Sequence, residues 1–456
     1  MYQIPENLIK KYAVIGPRYT SYPTAPMWKT IDPEIHGKWL EEVKGNDKPK
    51  SIYIHIPFCK ERCLYCGCNT TVTRKQTDAT EYVEFILKEL DHLGELQDKK
   101  PKLRQLHFGG GTPTYLLDEE FEAIMRKIKS YFEFDSNIEI AIEVDPCSTR
   151  PGQLEFLGSL GFNRISLGVQ DLNEKVQIAV NRVQSAEITF EHLKKAKELG
   201  FKGVNFDLIY GLPYQTLDSF KQTLKQVIEM KPDRLALYNF AHLPKQIPHQ
   251  RKIKPETLPC EKEKLAILFH AINDFTEAGY NYIGMDHFAL KEDELSLAQN
   301  DRTLYRNFMG YSPKSGVDLI GIGASSISEF DDYFIQNEKD IGIYANNIDR
   351  LKLAGSKGLN LSQDDKIRKW TIIKLICHFY LSFSEFERQF GIPFKTYFET
   401  ELIELEKLEK DRLVEVSSGH IQVLDFGKIL VRNVCMVFDA YLRKEGIPKV
   451  EYSKTI

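Results

Sequence analysis

The chain has 456 residues, 42% hydrophobic and 28% charged, with a net charge of −4. That length allows one large core with additions, and so near-neutral a balance gives no support for a nucleic-acid partner or an anionic membrane surface. No apolar run reaches the roughly 18 residues of a membrane span, and MYQIPENLIKKY lacks the basic-then-apolar layout of a secretory signal, so a cytoplasmic location is expected.

In chain order, residues 1–45 contain RYTSYPTAP, rich in proline and tyrosine and without periodicity. From residue 51 to about 240, strand-like and helix-like segments alternate. Strands are expected at 51–56, 103–108, 138–144, 163–169, 203–209 and 233–238. Amphipathic helices are expected in TEYVEFILKELDHLGEL, EEFEAIMRKIKSYF, SAEITFEHLKKAKELG and LDSFKQTLKQVIEM. Six βα units without hairpin signals predict a parallel sheet with right-handed crossovers. Six fall short of the eight that close a full barrel, so an open or partial α/β barrel is expected. Residues 240–360 read as irregular, with a late glycine-rich run, DLIGIGASSIS. From about 364, helices surround LVEVSSGHIQVL, which reads as a hairpin wing. A small, mostly helical, winged-helix-like domain is expected there. Its acidic and basic residues balance, which favours an interaction or capping role over DNA binding.

Eight cysteines are too few for a disulfide scaffold in so long a chain. Cys147, Cys260, Cys377 and Cys435 are scattered and read as small buried apolar residues. The other four fall in HIPFCKERCLYCGCN, directly after the first strand. Cys59, Cys63 and Cys66 form a C-x₃-C-x₂-C loop. Cubane iron–sulfur clusters normally take four thiolates, so three on one loop leave one iron open to an outside ligand. Cys68 lies two residues beyond Cys66. Ligation from adjacent odd positions of one loop would strain the site, and a closed cluster would be inert, so Cys68 reads as a pocket-lining thiol. Tyr65 either stacks on a ligand or packs within the loop.

Ligands in parallel α/β folds bind at the carboxyl ends of the strands. Polar or backbone-exposing groups follow five strands here: the cysteine loop, GGGTPT at 109–114, Glu143 with Asp145, Gln170, and Asp207. Glycines let a backbone approach a ligand closely. Glu143 and Asp207 either cap a following helix or hold a cationic amine or a ribose hydroxyl pair. Asp145, before Pro146, reads equally as a turn residue.

The C-x₃-C-x₂-C spacing, with an aromatic before the third cysteine, resembles the radical S-adenosylmethionine (SAM) superfamily. RYTSYPTA, YIHIPFC, CGCN, HFGGGTPT, EVDP, SLGVQD, NFDLIYGLP and YRNFMGY together resemble the oxygen-independent coproporphyrinogen III oxidase family over nearly the whole chain. The resemblance implies a [4Fe–4S] cluster on Cys59, Cys63 and Cys66 whose open iron chelates SAM. It places Tyr53, Gly110, Glu143, Ala241 and Ile327 against this SAM, and Tyr65, Gly111, Thr112, Gln170, Arg182 and Asp207 around a second SAM. Cys68, Tyr53 and Glu143 fall at catalytic positions, with Cys68 matching an extra non-ligand cysteine. The fold implied is a six-stranded partial barrel at 46–360, an N-terminal extension over the active site at 1–45 and a C-terminal helical domain at 361–456. The activity implied is a radical SAM oxidoreductase, a coproporphyrinogen dehydrogenase that converts two substrate propionates to vinyls. It would act as a monomer with a low-potential electron donor and an unspecified acceptor.

One departure is visible: Met309 stands where the family commonly has glutamine, and a thioether cannot replace an amide's donors and acceptor. A tetracarboxylate substrate also needs cationic partners, for which Arg18 is a candidate. Two other readings remain open at this point. One is a haem-binding chaperone on the same scaffold, although such relatives carry HNxxYW and usually lack the Cys-x-Cys extension. The other is a different radical SAM reaction on a tetrapyrrole, methylation or ring opening.

Overall fold

The structure is a computed structural model that describes residues 5–44, 46–96, 98–443 and 452–455. It divides into two compact units, Lys29–Lys264 with Gly316–Asn360, and Met1–Trp28 with Leu265–Ser315 and Leu361–Ile456.

The first unit is built on strands β1 (Lys50–Ile56), β2 (Lys102–Gly110), β3 (Glu133–Val144), β4 (Arg164–Gln170), β5 (Gly203–Tyr210) and β6 (Arg234–Asn239). They pair in parallel, in chain order. Between them run α1 (Gln76–Glu95), α2 (Asp118–Tyr131), α3 (Gln153–Leu160), α4 (Ala186–Glu198) and α5 (Leu217–Met230). One face of the strands is apolar, with Ile52, Ile54, Leu106, Phe108, Ile142, Leu167, Phe206 and Leu235 almost fully buried, while the alternate positions carry polar groups such as His55, His107, Glu143, Ser166 and Asp207 on the other face. The helices start where their caps dictate. The Thr216 hydroxyl accepts the Ser219 N–H ahead of α5, and α5 ends at Lys231 in the left-handed region. The sheet is open, a partial (β/α)₆ barrel.

The expectation of an irregular stretch through 240–360 fails at its end. DLIGI forms β7 (Asp318–Ile322), parallel to β1, with Ile320 opposite Ile52. Strands β8 (Ile327–Glu329), β9 (Tyr333–Asn337) and β10 (Gly355–Asn360) extend the sheet antiparallel beyond it. Gly321 is needed there: a Cβ on it would lie 2.5 Å from the Ile327 carbonyl oxygen. A helix at Glu261–Glu277 also falls in the stretch read as irregular.

In the second unit, helices Gln363–His378, Phe383–Phe390 and Glu399–Lys410 gather about Phe386, Phe394, Phe398 and Phe438. The expected hairpin, Val414–Val416 with His420–Val423, gains a third strand, Tyr380–Ser382. The N-terminal motif is anchored in the same unit. Tyr19 and Tyr22 are buried; the Tyr19 hydroxyl donates to Asp439 at 3.0 Å, and the Tyr22 hydroxyl accepts the Ala440 N–H at 3.1 Å. Arg18 is engaged in an ion pair with Asp286.

Candidate active site

The cysteine loop leaves β1 and is tied down along its length. Thr71 N–H bonds the Pro57 carbonyl at 2.7 Å, and Thr73 N–H bonds that of Cys59 at 3.1 Å, closing the loop at its base. Leu64 N–H reaches the Val180 carbonyl at 2.9 Å, and the Asn181 amide donates to the Arg62 carbonyl at 3.0 Å. From the segment after β6, His249 Nε2 donates to the Cys66 carbonyl at 2.7 Å and Gln250 Nε2 to that of Tyr65 at 3.2 Å. The backbone that carries the three thiols is therefore set by three separate segments.

The thiols open into a cavity of about 1180 Å³, larger than the several hundred Å³ of ordinary ligand pockets. Cys59, Cys63, Cys66, Cys68, Tyr65, Gly110, Gly111, Thr112, Glu143, Gln170, Arg182, Asp207 and Ala241 all line it. Tyr53 and Ile327 are not among its lining residues. Tyr53 stacks on His107 with ring centroids 5.7 Å apart, and its hydroxyl donates to His55 Nδ1 at 3.2 Å. Ile327 sits on β8 opposite Gln336.

The glycine run works differently from a ligand-facing backbone. The N–H of Gly110 is accepted by Glu143 Oε2 at 3.0 Å, that of Gly111 by the Ile56 carbonyl at 2.8 Å, and that of Thr112 by Phe58 at 2.9 Å. A Cβ on Gly111 would meet the Pro57 and Phe58 carbonyls at 2.8–2.9 Å, and Gly110 has a φ of +119°. The glycines let β2 pack against the root of the cysteine loop. Thr112 Oγ1 then comes within 3.4 Å of Cys59 Sγ.

Neither carboxylate caps a helix. Burial pushes the Glu143 pKa up, but His107 at 3.4 Å and the Gly110 N–H outweigh it, so the group lies below the usual carboxylate range. Asp207 accepts the Ser166 hydroxyl at 2.7 Å and the Asn205 amide at 3.0 Å, yet burial dominates and its pKa is raised to about 6. Asp145 accepts the Cys147 N–H at 3.2 Å, as a turn residue does, and also Nη2 of Arg182 at 3.0 Å. Arg182 further donates to the Gly168 carbonyl at 2.8 Å and lies 3.8 Å from Cys63 Sγ, while its buried Nε has no partner.

The thiols are not equivalent. The Cys66 pKa is lowered to about 6, chiefly by a hydrogen bond from Cys68 and against burial. The same bond, with burial, holds the Cys68 thiol well above its usual range. Burial raises Cys59 to about 11. Among the described residues, no three His, Cys, Asp or Glu side chains close around a single metal ion. A cubane asks something else: separate thiolates at separate corners, with room between. Three thiols on one braced loop, beside a guanidinium with a spare donor and facing a cavity this large, fit a cluster and a nucleotide ligand.

Residues that sequence reading missed also line this cavity. Cys147 is exposed there rather than buried, as Cys260 is elsewhere; only Cys377 and Cys435 are the buried apolar thiols expected. Ser166, Tyr238 and Asn239 join it, with Asn239 Oδ1 buried and unpartnered. A strand-end position was the available signal for Asn239. Nothing in the sequence pointed to His249 or Gln250.

An open parallel barrel with a C-x₃-C-x₂-C loop at its carboxyl edge defines a radical SAM protein. The family model for the radical SAM superfamily matches residues 53–227, and that for the HemN C-terminal domain matches 361–429. The chain is 45% identical over 439 residues to the oxygen-independent coproporphyrinogen III oxidase of Salmonella typhimurium, covering 96% of each. It is 45% identical over 442 residues to that of Escherichia coli K12, again with 96% of each covered. Against the Pseudomonas aeruginosa enzyme it is 41% identical over 441 residues, with 96% and 95% covered. The solved coproporphyrinogen III oxidase (HemN) of Escherichia coli superposes with a TM-score of 0.91 at 43% identity, covering 96% of this chain and 99% of that one. The chain belongs to the oxygen-independent coproporphyrinogen III oxidase family, and the chaperone reading on the same scaffold is set aside.

Proposed function

We infer that the chain converts coproporphyrinogen III to protoporphyrinogen IX by oxidative decarboxylation of two propionates to vinyls, without oxygen. The observation that carries this is the convergence of the three loop thiols, Glu143, Gln170, Arg182 and Asp207 on one cavity, in a chain 45% identical to named oxidases over 96% of its length. When bound, a [4Fe–4S] cluster and SAM supply the 5′-deoxyadenosyl radical that takes hydrogen from a propionate β-carbon.

The chain's residues hold and orient. Cys59, Cys63 and Cys66 hold the cluster, with Cys66 already disposed to ionise at neutral pH. Glu143, kept anionic by His107 and the Gly110 N–H, suits the α-ammonium of a SAM lying against Gly110 and Ala241. Arg182, fixed by Asp145 and Gly168, offers its spare donor to the carboxylate of a second SAM near Gln170 and Asp207. Cys68, a thiol kept protonated beside Cys66, is read as a pocket-lining catalytic thiol rather than a cluster ligand. Holding the reacting carbon near the radical supplies much of the rate.

Each vinyl formed removes one hydrogen atom, one CO₂ and one further electron, so an acceptor belongs to the reaction. The same reading makes the enzyme a cytoplasmic monomer served by a low-potential donor, with the chemistry assigned to residues 46–360. Among the described residues, no helix is long and apolar enough to cross a membrane. The test is anaerobic turnover of coproporphyrinogen III with SAM and dithionite, followed by porphyrin chromatography. Mono- and divinyl products are expected. Methylated or ring-opened products, or no SAM cleavage by a chain loaded with four irons, would overturn the reading.

A further inference from the structure

After β6 the chain runs through FAHLPKQIPHQRKIKP, which carries Lys245, Arg251, Lys252 and Lys254 and no acidic residue before Glu256. All four cations are exposed. The whole chain, by contrast, has a net charge of −4. Among the described residues no carboxylate pairs with Lys245, Lys252 or Lys254. Three of the four, Arg251, Lys252 and Lys254, fall within four consecutive residues, and so dense a run of like charge favours an anionic partner.

The inner side of this segment is fastened to the cysteine loop. Ile253 is 3% exposed and packs with Val176, Val180 and Phe240, against which Leu64 and Tyr65 also pack. His249 and Gln250, one to three residues from Arg251 and Lys252, hold the carbonyls of Cys66 and Tyr65 at 2.7 and 3.2 Å. A single hydrogen bond thus separates the residues of a basic surface from a residue that carries a cluster thiol. The four cations themselves are absent from the lining of the large cavity, to which the same segment contributes Leu243, Ile247 and Gln250.

Taking the proposed function as given, the cluster must receive an electron from outside the barrel. We propose that the face carrying Lys245, Arg251, Lys252 and Lys254 is the docking surface for an acidic one-electron carrier protein. The carrier gives up one electron and the cluster gains it; no bond is made or broken. Charge complementarity sets the encounter rate and the orientation, and the clamp through His249 and Gln250 gives the electron its short route inward.

The experiment compares the parent chain with the variant Lys245→Gln/Lys252→Gln/Lys254→Gln, both reconstituted with iron and sulfide. Binding of an oxidised acidic flavodoxin, and of an acidic [2Fe–2S] ferredoxin, is measured by calorimetry from low to moderate salt. Turnover is then driven either by the reduced carrier or by dithionite. At least one carrier is expected to bind the parent with salt-sensitive affinity and the variant about tenfold more weakly. Its Michaelis constant should rise in step, while dithionite-driven turnover stays within twofold. Equal affinity for parent and variant overturns the proposal, as does the failure of both carriers to bind. Equal loss under both reductants would assign the cations to substrate, and binding only to phosphatidylglycerol vesicles would assign them to a membrane; either also overturns it. A parent that binds the carrier but makes no vinyl product with dithionite instead breaks the functional reading and leaves the docking result standing.

Discussion

The imidazole Nε2 of His249 stands 2.7 Å from the carbonyl oxygen of Cys66. A carbonyl can only accept, so the proton sits on Nε2, and the ring pins the third cysteine's backbone from outside the loop. One such bond is worth about 1 kcal/mol net, a factor of about five in an equilibrium. His249→Ala is expected to release cluster iron to an anaerobic chelator about fivefold faster. His249→Gln, whose amide donates at similar reach, should stay within twofold of the parent. Equal rates for all three would show that the bond braces nothing.

Asp145 is the only carboxylate within ion-pair distance of Arg182 among the described residues, at 3.0 Å, with both side chains mostly covered. Removing one member of a covered pair leaves the other charge uncompensated, and partial exposure reduces the effect. Asp145→Ala is expected to destabilise the cluster-free chain by about 2 kcal/mol, read from urea midpoints. Asp145→Asn, which keeps an acceptor for Nη2 and for the Cys147 N–H, should cost about half as much.

His36 supplies a pH dependence away from the site. It is buried, and its Nδ1 accepts the Gly355 N–H at 3.1 Å, a bond that exists only in the neutral ring. Burial, with His92 nearby, lowers its pKa to about 4. The folded value lies below the unfolded one, so the unfolded chain binds more protons between the two. Stability complete above about pH 6.5 is lost as the pH falls towards 4. At about 1.4 kcal/mol per pH unit, the loss by pH 4 is roughly 3 kcal/mol. His36→Asn, which retains an acceptor for Gly355, should flatten that slope in urea midpoints taken across pH 4–7.

Strong local signals were legible in the sequence. α5 spans Leu217–Met230 in the structure, as its periodicity predicts, because Thr216 and a regular apolar stripe act together. The six barrel strands were legible because each carries β-branched and aromatic residues at alternate positions between turn or helix signals. β7 was not, since Gly321 interrupts its strand pattern and the need for a glycine there comes from Ile327 of β8, six residues further along. At the site, residue types marked out the thiols and strand-end carboxylates. What they could not show was long-range bonding. The N–H groups of GGGT turn inward to Glu143 and the loop root, and His249 reaches back 183 residues to Cys66.

Met309 occupies the turn between Tyr305–Asn307 and Gly310–Ser312, half-buried, with its N–H held by Asn307 Oδ1 at 2.9 Å. The backbone bond does not depend on the side chain, so Met309→Gln should fold and load iron like the parent. The amide adds two donors and an acceptor where the thioether has almost none. If position 309 addresses a polar group of the tetrapyrrole, the substrate KM should fall about fivefold, as one net hydrogen bond provides. SAM cleavage without substrate should stay within twofold. An unchanged KM would mark the position as a turn residue alone.

Gly321 tests the part of the sheet that sequence reading missed. It is the fourth residue of the five in β7, opposite Tyr53 of β1. An added Cβ would stand 2.5–2.6 Å from the nitrogen, carbonyl carbon and oxygen of Ile327. These are backbone atoms of β8, so no rotamer change can relieve the overlap. Relief requires β8 to move off β7, and the Ser328 hydroxyl's bond to the Gly321 N–H, 2.9 Å, goes with it. Gly321→Ala is therefore expected to cost about 3 kcal/mol, the upper part of the range for overpacked interiors. Gly419→Ala, with no atom within 4 Å of its added Cβ, is the control and should be nearly neutral in the same urea titration. A Gly321→Ala chain as stable as that control would mean that β7 and β8 are not packed as described.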